Sequence, residues 1–222
     1  MATSSALNEN FITNYARLGH AAQELLPEVL RELLLFLESP AMLFKDCQAN
    51  KNLADRRILR PVEWQRITNV ATDGYSKFDI QLSYKIIRNL NLVPCPTRDW
   101  DHPNDPMVHE LTIGDDIERI RRLRNEILHK GETKVTDKDL AEYFSIFKGL
   151  AKRLENYLGK PYGHFLSKFE NLETCCMDQK SEEHFIQTIK DLVKSEEDIK
   201  DEVGRVRIEV EDLKIKGEQL KL

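Results

Sequence analysis

"DDIERIRRLRNEILHKG", residues 115–131, decides how the rest of the chain is read. On a helical wheel, Ile113, Ile117, Ile120, Leu123, Ile127 and Leu128 form an apolar stripe roughly 140° wide. Arg124 falls inside that stripe. A guanidinium among core-facing residues is costly unless paired. Arg124 therefore requires a carboxylate inside the fold, such as Asp116 or one on another helix, or else a place at a cleft or interface. His129 lies roughly 140° around the wheel from Arg124, on the polar side with Asn125. A charged His129 at a helix end would also complement the helix dipole, and Lys130-Gly131 reads as a helix stop.

Outward from this stretch the chain repeats the same helical signal, and β-branched alternation is almost absent. The expected fold class is all-α. Residues 8–38 form a long amphipathic run in which Pro27 should kink or break the helix. A shorter helix is expected at 40–50. "RPVEWQRI" (60–67) places Pro61 at a first helical position, with Trp64 and Ile67 facing inward. "SKFDIQLSYKIIRNL" (76–90) reads as a helix capped by Ser76, with Phe78, Leu82, Ile86 and Leu90 on one side. Residues 91–114 carry four prolines and no period, so they should be a long loop of the functional or disordered kind. Helix resumes at Asp115 and ends at Gly131. Another runs from the N-cap Thr136, with Asp137 and Asp139 behind it, to Gly159.

The C-terminal residues follow a different rule. Phe185, Ile189, Leu192, Glu196, Ile199, Val203, Val206, Val210 and Leu213 are spaced alternately four and three apart. This is a heptad seam interrupted by one polar residue, Glu196. Two structures satisfy it: a two-stranded coiled coil with a partner through residues 185–220, or one amphipathic helix packed on its own domain. The expected organisation is a helical bundle at 8–160 and a helical extension at 163–222, with the heptad segment at about 183–220.

Composition narrows the classes. With 41% hydrophobic and 32% charged residues, the 222-residue chain is globular rather than disordered, and holds one domain or one plus an appendage. No run reaches the roughly 18 apolar residues of a membrane span, so no membrane association is expected. The opening MATSSALNEN has no secretory pattern. Cys47, Cys95, Cys175 and Cys176 form no CxxC pair, which suits free thiols in a reducing cytoplasm. The net charge of −5 is uneven: residues 181–222 carry 8 basic and 12 acidic residues (−4), whereas 51–98 carry 9 and 4 (+5). A basic surface is thus available on an acidic chain. "ADRRILR" (54–60), with Arg56 and Arg57, reads as a phosphate-contacting patch or as solvated arginines. His102 and His109, with Asp99, Asp101 and Asp105, match no metal-ligand spacing, and neither metal nor cofactor is expected.

"RNEILH" (124–129), read with "PVEWQRI", "FDIQLSYKIIRNL", "CPTRDWDHP" and "DDIERIRRLRNEILH" in that order, resembles the HEPN family (higher eukaryotes and prokaryotes nucleotide-binding). The resemblance is to the type found in the DAZ-interacting zinc-finger E3 ubiquitin ligase, and it covers roughly residues 15–160. That ligase's Cys/His-rich RING pattern is missing, so ubiquitin transfer is not implied. The resemblance implies a helical bundle that forms a homodimer, each Arg-x4-His motif facing its twin across a shared cleft. It further implies RNA as partner and, in active relatives, metal-independent cleavage to a 2′,3′-cyclic phosphate. His129 would serve as base or acid, Arg124 would clamp the phosphate, and Asn125 would orient His129 or a phosphate oxygen. Arg121, Arg122, Lys130, Arg56 and Arg57 are the expected further RNA contacts. The alternative is a non-catalytic oligomerisation or scaffold module in which RNEILH is structural.

Overall fold

In a computed structural model the chain is described over residues 3–54, 58–130 and 135–219, with side chains over 11–54, 58–130 and 135–205. Every regular element among these residues is helical, so the fold is all-α. None of the described helices is long and apolar enough to cross a membrane.

The first helical run is α1 (Thr3–His20), a π-helical stretch (Ala21–Leu25) and α2 (Leu26–Leu37). Pro27 stands at the head of α2, where the run changes from π to α geometry. The π stretch just before Pro27 widens the turn, with the Leu26 N–H bonding to the Ala21 carbonyl, and relieves the clash a proline ring otherwise causes. Next come α3 (Pro40–Ala49), α4 (Lys51–Ala54), α5 (Pro61–Thr68) and α6 (Val70–Asp73). α7 (Ile80–Asn89) starts later than its apolar pattern suggested. Asp79, not Ser76, caps it by accepting from the Leu82 N–H at 2.8 Å. Phe78 instead sits in the turn and meets Tyr75 edge-on.

α8 (Ile113–His129) begins two residues before Asp115 because Thr112 and Asp115 form a reciprocal capping box. Thr136 and Asp139 repeat the device at the head of α9 (Asp137–Leu158), which ends at Gly159 in the left-handed conformation. The expected stop at Gly131 and the pair Arg56–Arg57 lie outside the described residues.

The long proline loop is ordered by charge. Asp115 is fully buried and also takes bonds from the Thr97 N–H (2.7 Å) and hydroxyl (2.9 Å), which straps the loop to the start of α8. Glu110 pairs with Arg98 and accepts from the Met107 N–H. Arg119 reaches the carbonyls of Met107 and Glu110. Gly114 permits the contact: a Cβ there would stand 2.5 Å from the Pro94 carbonyl oxygen and 2.7 Å from the Pro96 nitrogen. Both are backbone atoms, so no side-chain rotation would relieve the clash.

The expected boundary at 160–163 has no counterpart in the core. α10 (Leu166–Thr174) packs on α9, and Phe165, Leu166, Phe169 and Leu172 join the same apolar cluster as Leu30, Ile120 and Phe147. Buried Glu155 of α9 accepts from the Phe165 (2.5 Å) and Leu166 (2.7 Å) N–H groups, capping α10 from a neighbouring helix.

α11 (Gln179–Gln219) then lies against α1 and α8. Phe185 stacks on His20 with ring centroids 4.5 Å apart, and Ile189 is buried beside Gly19. The first half of the heptad seam is therefore spent on the chain's own bundle. From Lys200 to Arg205 every residue is exposed.

Candidate functional site: a cleft between α7, α8 and α11

Three helices bring the central side chains together. On α7, Gln81 and Lys85 are one turn apart and share a face. α8 contributes Arg124, Asn125 and His129, and α11 contributes Glu196, Ile199 and Lys200. With Arg60 and Asp79 at the near rim they line a cleft of about 410 Å³.

The centre of the cleft is a carboxylate held between the two motif residues. Glu196 Oε1 is 2.6 Å from Arg124 Nη1, and Glu196 Oε2 is 3.5 Å from His129 Nε2. The wheel anomaly is thus resolved by pairing. Arg124 is only 9% exposed, and its partner is Glu196 on another helix rather than Asp116. Asp116 is fully engaged by Arg119 and Arg153. Asn125 orients Arg124, not His129: its side-chain oxygen accepts from Arg124 Nη1 at 3.1 Å and from Gln81 Nε2 at 3.0 Å. That second bond ties α7 to α8 across the cleft. The His129 side chain remains 47% exposed, on the polar side as expected.

Behind the near wall, Glu63 is fully buried and receives Lys85 Nζ at 2.9 Å and Arg60 Nη2 at 3.0 Å. Burial would lower the Arg60 pKa, but the hydrogen bond and charge of Glu63, with Asp79 and Glu196 beyond it, raise it above the ordinary arginine value. One buried acid thereby fixes two cations beside Arg124 without reaching into the cleft.

The other expected RNA contacts are not brought here. Glu118, buried and three and four residues before them, captures both Arg121 and Arg122. Burial alone would raise the Glu118 carboxyl, yet hydrogen bonds from Arg121, Tyr84 and Arg122 hold it below its ordinary value. Arg121 also lies over the Tyr84 ring at 5.1 Å. Arg122 continues to Asp105 and the His102 carbonyl in the proline loop. Lys130 turns away to the Tyr143 ring, 4.7 Å from its centroid, and to the Tyr143 hydroxyl at 3.1 Å. The acids of the proline loop are likewise used by Cys95, Arg88 and Arg122. Among the described residues no group of three or more His, Cys, Asp or Glu side chains could hold a metal ion.

The sequence did not single out Gln81, Lys85 or Lys200, whereas Arg60 closes the stretch "ADRRILR" and Glu196 is the polar member of an apolar seam.

A family model described as DZIP3/hRUL138-like HEPN matches residues 36–185, from the end of α2 through the first turns of α11. No curated protein and no solved structure matches the chain.

Proposed function

Since the chain belongs to the DZIP3/hRUL138-like HEPN family, we propose that the α7–α8–α11 cleft is a phosphate-binding site for RNA and that its Arg124–His129 pair cleaves the strand. The observation that carries this reading is the bridged carboxylate. Arg124 and His129 of one chain converge on a two-oxygen anion, which is the demand a phosphodiester's non-bridging oxygens make.

The chemistry follows from these residue types. His129, half-exposed, takes the proton from a ribose 2′-hydroxyl as that oxygen attacks the adjacent phosphorus. Arg124 offsets the charge that grows on the phosphoryl oxygens. The bond from phosphorus to the 5′ oxygen breaks, and that oxygen is protonated by water. The products are a 2′,3′-cyclic phosphate and a 5′-hydroxyl. Lys85, Arg60 and Lys200 supply the positive surroundings that hold neighbouring phosphates. A homodimer would set two such clefts in one particle, and the part of α11 beyond Lys200, with its continuing heptads, is the segment suited to pair two chains.

Binding of a fluorescein-labelled single-stranded oligoribonucleotide, followed by anisotropy over a salt series, tests the reading. Wild type should bind, with affinity falling as salt rises. Arg124→Met should weaken binding on the order of tenfold, the scale of one charge-assisted phosphate contact. The same change should cost only about 1 kcal/mol of stability, because Glu196, left behind, is already 28% exposed and screened by solvent. Unchanged affinity in Arg124→Met would remove the cleft from the account.

A further inference from the structure

Glu196 pairs with the buried Arg124, yet nothing in the packing of its own helix calls for an acid. Its place in the seam is an apolar one, between Leu192 and Ile199, and an apolar side chain there would extend the packing of α11 on α8. Instead its carboxylate neutralises Arg124 and stands between Arg124 and His129, at the position argued above for the phosphate.

Resting on that reading of the cleft, we propose that Glu196 is an internal competitor: α11 acts as a latch whose carboxylate occupies the phosphate position until RNA displaces it. The packing of α11 fits this role. The helix is anchored firmly upstream, where Phe185 and Ile189 are buried, Gln23 donates to the Phe185 carbonyl at 3.1 Å, and Thr13 donates to Glu182 at 2.5 Å. One to two turns later the hold weakens: Leu192, Glu196 and Ile199 are only partly buried, and Lys200 to Arg205 are exposed. The segment bearing the carboxylate can therefore lift without undoing the anchor. A phosphodiester offers Arg124 and His129 the same pair of acceptor oxygens. With Glu196 in place, an incoming phosphate meets a like charge instead of a free guanidinium.

The test compares wild type with Glu196→Gln, which keeps size and shape but removes the charge. Two like charges about 4 Å apart near a protein surface are enough to change affinity on the order of tenfold. The fluorescein-labelled single-stranded oligoribonucleotide should accordingly bind Glu196→Gln about tenfold more tightly. Hydrogen exchange supplies a second readout. In wild type, exchange at residues 192–200 should rise when the oligonucleotide is added, while residues 185–189 stay protected. In Glu196→Gln it should already be raised without RNA. Glu196→Asp, which keeps the charge on a shorter stem, should fall between the two in affinity. It guards against a misfolded glutamine variant, whose helicity would drop. Equal affinity for wild type and Glu196→Gln, with binding that still depends on Arg124, would overturn the latch and leave the RNA site standing. Binding by neither protein would remove the RNA site and the latch together.

Discussion

Asp115→Ala is expected to lower the melting temperature by about 10 °C. The carboxylate is fully buried and takes four bonds, from the N–H and hydroxyl of both Thr97 and Thr112. Removing it leaves two backbone N–H groups without their partner and undoes one half of a capping box. Those losses total roughly 3–5 kcal/mol, and a domain of this size loses roughly 2–4 °C per kcal/mol. Acid should narrow the difference. Burial pushes the Asp115 carboxyl up, but the bonds from Thr112 and Thr97 outweigh it and hold the pKa below the ordinary aspartate value. A depressed folded pKa stabilises above the unfolded value of about 4 and ceases to as pH falls through the folded value. Thermal unfolding should therefore show the full gap between variant and wild type at neutral pH, and the charge-dependent part of that gap should shrink as pH falls from about 4 through the depressed folded pKa of Asp115. A full gap that persists in strong acid would contradict the assignment of charge to this site.

The second large effect is chemical. His129→Ala should reduce cleavage of single-stranded RNA by about 10²- to 10⁴-fold, the usual contribution of a positioned acid–base group. Helicity and melting temperature should change little, because the side chain is half-exposed and its contact with Glu196 is long at 3.5 Å. Activity in wild type should persist in EDTA and leave cyclic phosphate ends, which resist labelling until opened by acid. Loss of all cleavage in EDTA would refute the mechanism, and cleavage untouched by His129→Ala would refute the site.

The helices were legible because their signals are local. The apolar stripe of α8, the proline at the head of α5 and the Thr136 cap of α9 each lie within one turn or one period of the sequence. Ser76 misled because the apolar pattern begins before the backbone does: Phe78 is buried from a turn, and the nearer acid, Asp79, takes the cap. The extension looked separate because its heptads suggest a partner, while the anchors that bind it, His20, Gln23 and Glu155, are scattered over distant helices.

The centre of the cleft was visible only as two unexplained charges. Arg124 breaks the stripe of α8 and Glu196 breaks the seam of α11. Each was read alone, and the structure pairs them with each other. Lys85 carried no such mark, since the buried acid that positions it, Glu63, lies on α5, whereas Arg60 stood at the end of the basic stretch 54–60. Arg121 and Arg122 misled in the opposite sense. Their basic run resembles a phosphate contact, but Glu118 at helical spacing and the acids of the proline loop consume them.

The central claim is that RNA lies in the cleft between α7, α8 and α11, and photochemical cross-linking tests it most directly. A 4-thiouridine-substituted single-stranded oligoribonucleotide would be irradiated with the full chain, and the linked peptides identified by mass spectrometry. Adducts should map to the segments bearing Lys85, Arg124–His129 and Lys200, and should be fewer when Arg124 is replaced by Met. Adducts confined to the face of Arg119, Arg122 and Arg153, and indifferent to Arg124, would contradict the account.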